Sequence, residues 1–168
     1  MSLSMYQASI PVFVRMLGNL SAILEKAAAY AETKKIAPQV LLGARLAPDM
    51  LPLSAQIQIA CDSAGRCASR LAGIDLPSNP DTETTFAEFQ QRIAKTIAFV
   101  QSVSAAQIDG SEERTVTLQM RTGEMKFQGQ QFLLGFVLPN FYFHLTTAYA
   151  ILRHNGLDIG KTDFLGKS

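Results

Sequence analysis

Histidine and cysteine are scarce in this chain, and tryptophan is missing altogether. The two cysteines, Cys61 and Cys67, exclude a disulfide scaffold. Six residues apart on a helix, they point about 240° away from each other and cannot bridge, so a reducing compartment is expected. Basic charge is equally short. Lys and Arg number 15 against 14 Asp and Glu, a net charge of +1, and Lys34-Lys35 is the only adjacent basic pair. A surface that neutralises many phosphates cannot be assembled from this, which excludes nucleic-acid binding as a main function. The N-terminus lacks a basic start, a continuous apolar run and a small-residue cleavage site, so no signal peptide is read and a cytoplasmic protein is expected. Neither an internal repeat nor a low-complexity tract is found.

Apolar residues, by contrast, make up 48% of the 168 positions. That suffices for one domain spanning 1–168 with a single sizeable core. Phe132 to Leu152 contains no Asp, Glu, Lys or Arg, which is nominally enough to cross a bilayer. Pro139, Asn140, His144, Thr146 and Thr147 interrupt it, and a central bundle helix is also apolar all round. No membrane partner is expected.

Helical periodicity runs from Ser4 to about Thr33 through Val12, Met16, Leu20, Ile23 and Leu24, with Pro11 at a helix start or a kink. After a loop with one short helical run, a second long helix begins near Pro52. Its inward stripe is Leu53, Ile57, Ala60, Ala64, Cys67 and Leu71, with Gly73 as terminator. Asp62 and Arg66, four apart on the other face, form an exposed ion pair. The turn-rich "GIDLPSNPDTETT" leads to a third helix capped by Asp81 or Thr82 and reaching Val103, with Phe86, Phe89, Ile93, Ile97 and Val100 inward. The period then changes to two in Val116, Leu118 and Met120. A turn at Thr122-Gly123 and a return through Met125 and Phe127 predict a β-hairpin. The last helical region is interrupted or kinked at Pro139 and ends at Asn155-Gly156. The expected fold is all-α: a four-helix bundle, up-down with a long connection, plus a small β-hairpin before the last helix.

"GLDIGKT", Gly156 to Thr162, imitates a phosphate-binding loop. It has three residues instead of four before Gly-Lys and follows a helix instead of a strand, so it reads as a helix end and exit turn. The histidines are no metal pair either. His144 and His154 lie ten apart, about 15 Å along the axis and about 280° around it. His154, beside Arg153, faces the helix C-terminus. His144 shares a stripe with Asn140, Thr147 and Ile151, a polar line in an apolar helix that requires partners from other helices. That line reads as a satisfied buried network, a pocket wall or, third, a metal site. Cys61 and Cys67 read as small buried hydrophobes, and Glu112-Glu113 as solvated surface.

"RLAPDMLPLSAQIQIACDSAG", "PNFYFHLTTAYAILRHNG" and "GKTDFLG" resemble the hallmark segments of a bacterial family, number nineteen ninety-three in the series of domains of unknown function. The resemblance runs from about residue 5 to 166. It implies a divergent branch of the DinB/YfiT-like superfamily of four-helix bundles, often dimeric. Many members bind a divalent metal through three histidines, and some are thiol-dependent transferases. The superfamily's last metal-bearing helix resembles His-x-x-x-His followed eight residues later by Leu-Arg. Counting back from Leu152-Arg153 puts the second histidine on His144 and the first on Asn140. The third belongs on the second long helix, where Gln58, Cys61 and Asp62 are the nearest polar residues. At most one ligand of three is present, so the resemblance implies a degenerate metal site.

Three functions follow as expectations. One is a bundle without a cofactor that binds a small molecule in a cleft at Asn140 and His144, completed by Arg45, Asp49, Gln56 and Asp62. Another is a non-enzymatic homodimer, with Phe141-Tyr142-Phe143 as core or subunit interface. The third is a divalent-metal-dependent enzyme of thiol-transferase type, with metal on His144, Cys61 and Asp62.

Overall fold

The computed structural model describes residues 3–120 and 123–166. Four long helices carry the fold: α1 (Met5–Lys34), α3 (Leu53–Ala72), α4 (Phe86–Ser102) and α7 (Leu138–His154). Between them lie α2 (Pro38–Leu42), α5 (Ala105–Ile108), the strands β1 (Thr115–Met120) and β2 (Gly123–Gln128), and the single turn α6 (Gly129–Gln131). The short α8 (Lys161–Leu165) closes the chain against α1. The bundle is closed by four seams, α1 on α4, α4 on α3, α3 on α7 and α7 on α1.

Local chemistry explains where the helices begin. Ser4 and Gln7 form a reciprocal capping box at α1, satisfying two of the N–H groups a helix start leaves bare. Pro11 therefore lies inside α1, not at its start. Thr85, rather than Asp81 or Thr82, caps α4, because Glu88 stands three residues on and bonds back to the Thr85 N–H at 2.9 Å. Asp81 is instead drawn to Arg92. As expected, α3 ends at Gly73, whose φ of 68° is left-handed, and the carbonyl of Leu71 accepts from Arg114.

The expected stripe of α3 is buried throughout. That of α4 is rotated: Arg92 and Thr96 are buried with Phe86, Phe89, Ile93 and Val100, while Ile97 is half-buried. In α1, Met16, Leu20, Ile23 and Leu24 are core and Val12 lies partly covered beside them. Among the described residues, α1 is the one helix long and apolar enough to cross a membrane; Ile10, Phe13, Leu17 and Leu24 on it are buried in the bundle core.

The hairpin forms as the alternation predicts, antiparallel with Val116 opposite Phe127 and Leu118 opposite Met125. Val116 and Leu118 are buried and Met125 is exposed. Gly123 has a φ of 123°, while Thr122 of the expected turn lies outside the described residues. Past β2 the chain does not break at Pro139. Phe132–Val137 forms a π-helical turn that runs straight into α7. A proline has no N–H for the carbonyl four residues earlier, and its ring crowds that carbonyl; widening the preceding turn relieves both effects. The segment that could have spanned a bilayer thus becomes a core helix, with Phe141 edge-on to Phe13 at 5.1 Å.

Candidate functional site

Two cross-helix hydrogen bonds join α7 to α3. Asn140 Nδ2 donates to Ser63 Oγ at 2.9 Å, and that hydroxyl donates onward to the Ile59 carbonyl at 2.7 Å. One turn further along α7, His144 Nδ1 lies 2.7 Å from Gln56 Oε1. The Gln56 amide nitrogen is committed to the Leu51 carbonyl at 3.0 Å, so its oxygen must face the ring and Nδ1 must carry the proton. Burial also holds the imidazole below its ordinary pKa, because the cation loses more hydration than the neutral ring. His144 is thus neutral near pH 7, its Nε2 left with a lone pair, and Phe143 packs edge-on against it at 5.3 Å.

Asn140 opens onto a cleft of about 230 Å³ between α3, the hairpin and the π-helical turn. Leu118, Phe132, Phe136 and Val137 form its apolar wall; Asp62, Arg66 and Arg70 stand along α3 on the other side. Phe136 and Phe132 stack at 6.1 Å and Phe127 of the hairpin backs both. Phe132, Phe136 and Asn140 follow one another at four-residue spacing, so the two rings stand on the side of Asn140 that faces the cleft.

Of the residues expected to make a pocket, Asn140 and Asp62 share this cleft. His144 and Gln56 are brought together with each other but do not line it. Arg45 and Asp49 are exposed on the connection between α2 and α3, where Arg45 donates to the Met50 carbonyl. Neither lines the cleft.

Asp62 does more than pair with Arg66 across solvent. One oxygen takes Arg66 at 2.8 Å and the other takes Arg92 at 2.8 Å. The Arg92 side chain has no exposed surface and also binds Asp81 and Glu83, each at 2.8 Å. Burial opposes its charge, but Glu83 and Asp62 outweigh that and raise its pKa above the ordinary guanidinium value. For Glu83, burial pushes the carboxyl up; bonds from Gln58 and Arg92 dominate and hold it below the usual range. The cluster pins the α3–α4 connection over a second cavity of about 340 Å³, whose lining includes Cys61, Gly65, Leu76, Thr96 and Phe99. Burial pushes the Cys61 thiol up to about 12, despite a hydrogen bond with Thr96, so it is no nucleophile at neutral pH.

The donor set can be tested against a divalent metal. At the α3–α7 seam it consists of one imidazole, two amides and a hydroxyl. The imidazole is a good ligand, but the amides and the hydroxyl are weak ones, whereas catalytic zinc takes three from His, Cys and carboxylates. Cys61 faces the second cavity as a protonated thiol, Asp62 is held by two arginines, and His144 bonds to Gln56. Among the described residues no three His, Cys, Asp or Glu side chains form a metal-holding group. The residues present do not fit the metal.

Sequence reasoning did not find Arg92, Ser63, Arg70 or the Phe132–Phe136 wall. Arg92 was legible in principle: Phe89, Arg92, Thr96 and Val100 follow helical spacing, and a charged residue on an inward stripe demands buried partners. The others depend on which faces of α3 and the π turn meet, which one helix's period does not specify.

The model of the family described as Domain of unknown function (DUF1993) matches residues 5–165. Among solved structures, a DinB family member protein from Shewanella denitrificans is similar at 42% identity and a TM-score of 0.89, covering 97% of this chain and 92% of that one. Among curated proteins nothing matches the chain. With the family model spanning nearly its whole length and the neighbour superposing over nearly all of it, the chain belongs to the DUF1993 family and has the DinB-family fold.

Proposed function

We propose that this protein is a metal-free, small-molecule-binding member of the DinB family, with the cleft at Asn140 as its binding site. One observation carries the reading. At both α7 positions where the family resemblance expects imidazole ligands, the side chain is bonded to a neutral α3 partner, Asn140 to Ser63 and His144 to Gln56. The seam that would carry metal chemistry is thereby a fixed polar strut. Beside it lies a concave, mostly apolar surface with a few convergent polar groups, the usual make-up of a ligand site.

Ligand-observed NMR with a small fragment library on wild type and on Asn140→Trp, whose indole fills the cleft, tests the reading. Fragments that bind wild type and are lost from the variant support it. Fragments indifferent to the filling overturn it, as does stoichiometric metal in the purified protein that His144→Ala removes.

A second reading has a specific observation behind it. Phe141 is core, but Tyr142 and Phe143 are 38% and 56% exposed, and large aromatics in that position suit an interface between two copies. Light scattering on Phe143→Glu against wild type reads the mass directly; a monomeric wild type removes this reading.

A further inference from the structure

We propose that the cleft at Asn140 takes a small anion, a carboxylate or phosphate on an apolar body, with Arg70 and Arg66 holding the oxyanion and the Phe132–Phe136 wall holding the body. This rests on the cleft being a binding site and adds the chemical class of what enters it. Arg66 and Arg70 stand four apart on α3, so both guanidinium groups face one side of the helix and both line the cleft. Two like charges at that spacing repel unless an anion lies between them.

Arg70 is the more telling of the two. It stands over the Phe132 ring with 6.0 Å from guanidinium carbon to centroid, and no acidic side chain pairs with it among the described residues. Burial, then the charge of Arg66, lowers its pKa, the condition that an arriving anion reverses. Arg66 is bonded to Asp62, the acidic residue in the lining. Asp62 keeps Arg92 on its other oxygen, so Arg66 can turn to a ligand without leaving a carboxylate unpaired. Guanidinium groups bind carboxylate and phosphate oxygens through paired N–H donors. At about 230 Å³ the cleft is below the range typical of drug-sized sites, which limits the body to about one aromatic ring.

Phenyl phosphate and benzoate are the probes, with benzyl alcohol as the uncharged body and inorganic phosphate as the bare head. Dissociation constants come from titration calorimetry or NMR on wild type, Arg70→Gln, Arg66→Gln and Asn140→Trp, each first shown by thermal melting to be folded. The expected result is phenyl phosphate or benzoate binding about tenfold or more tighter than benzyl alcohol, weakening with salt and about tenfold or more weaker in Arg70→Gln. Benzyl alcohol binding as well as the anions, unaffected by Arg70→Gln but lost in Asn140→Trp, overturns the anion assignment and leaves the cleft standing. Binding indifferent to all three variants, or no binding by any probe, overturns the proposal.

Discussion

Replacing Arg92 by Met removes the cation at the centre of the α3–α4 seam while filling nearly the same space. The cost can be worked from what each carboxylate has left. Asp81 is 60% exposed, so its pair with Arg92 contributes close to nothing once water can take over. Asp62 keeps Arg66 and is 26% exposed. Glu83 is 8% exposed and keeps the amide of Gln58 at 3.0 Å and a bond to its own backbone, with no other cation among the described residues. Hydrogen bonds to charged groups contribute about 1.5–3 kcal/mol each. Two such losses, with Glu83 the larger, sum to about 3–6 kcal/mol, and deleting one partner of a buried ion pair typically costs about 3–5 kcal/mol.

Urea unfolding of wild type and Arg92→Met at pH 7 reads this directly. Glu83→Gln in the variant background should restore about 1–3 kcal/mol, since it removes the charge that deletion of Arg92 strands. The pH dependence has a definite sign. A carboxyl held below its unfolded value stabilises the fold fully above about pH 4.3, and that stabilisation is lost as pH falls through the lower folded value. Wild type should therefore lose its advantage over Arg92→Met in acid. A deficit under about 1 kcal/mol at pH 7, or a double variant no better than additive, would refute the account of Arg92 as the pin of this seam.

Two further outcomes follow from the same geometry. Burial depresses the His144 pKa, so its contribution is complete above the unfolded value of about 6.5 and is lost as pH falls below it; thermal melts from pH 7.5 to 5.5 should show a steeper fall for wild type than for His144→Gln, and parallel curves would contradict the neutral, Nδ1-protonated ring. A Cβ at Gly129 would lie 1.9 Å from the Ser111 carbonyl oxygen, so Gly129→Ala must displace backbone and should cost about 3 kcal/mol by urea unfolding, an unchanged midpoint being the contrary result.

The bundle was legible because helical period and burial agree along α1 and α3, and because a period-two stretch with a glycine turn has few solutions other than a hairpin. The errors in the helices share one cause. Asp81 and Thr82 are acceptable caps by local chemistry, but Thr85 wins because Glu88 closes a capping box there, and because Arg92, eleven residues on from Asp81, captures it. Hydropathy turns Ile97 inward, where it is half-buried, whereas the face that α4 presents to α3 carries Arg92 reaching Asp62 and Glu83. An ion cluster thus fixes the rotation of α4, which hydropathy alone leaves undetermined by one residue in either direction.

The same limit applies to the candidate site. Asn140 and His144 were found from the stripe on α7, and their need for partners was sound. The partners, Ser63 and Gln56, lie seven apart on α3, whereas Asn140 and His144 lie four apart on α7, so the spacing on one helix does not give the spacing on the other. A side chain's reach and a crossing angle are properties of the pair of helices. The polar strut between α3 and α7 also commits the polar groups of the seam to each other. With Asn140 and His144 bonded to Ser63 and Gln56, the charged groups of the neighbouring cleft are Asp62, Arg66 and Arg70, and under the proposal above it is the guanidinium groups that would meet a ligand.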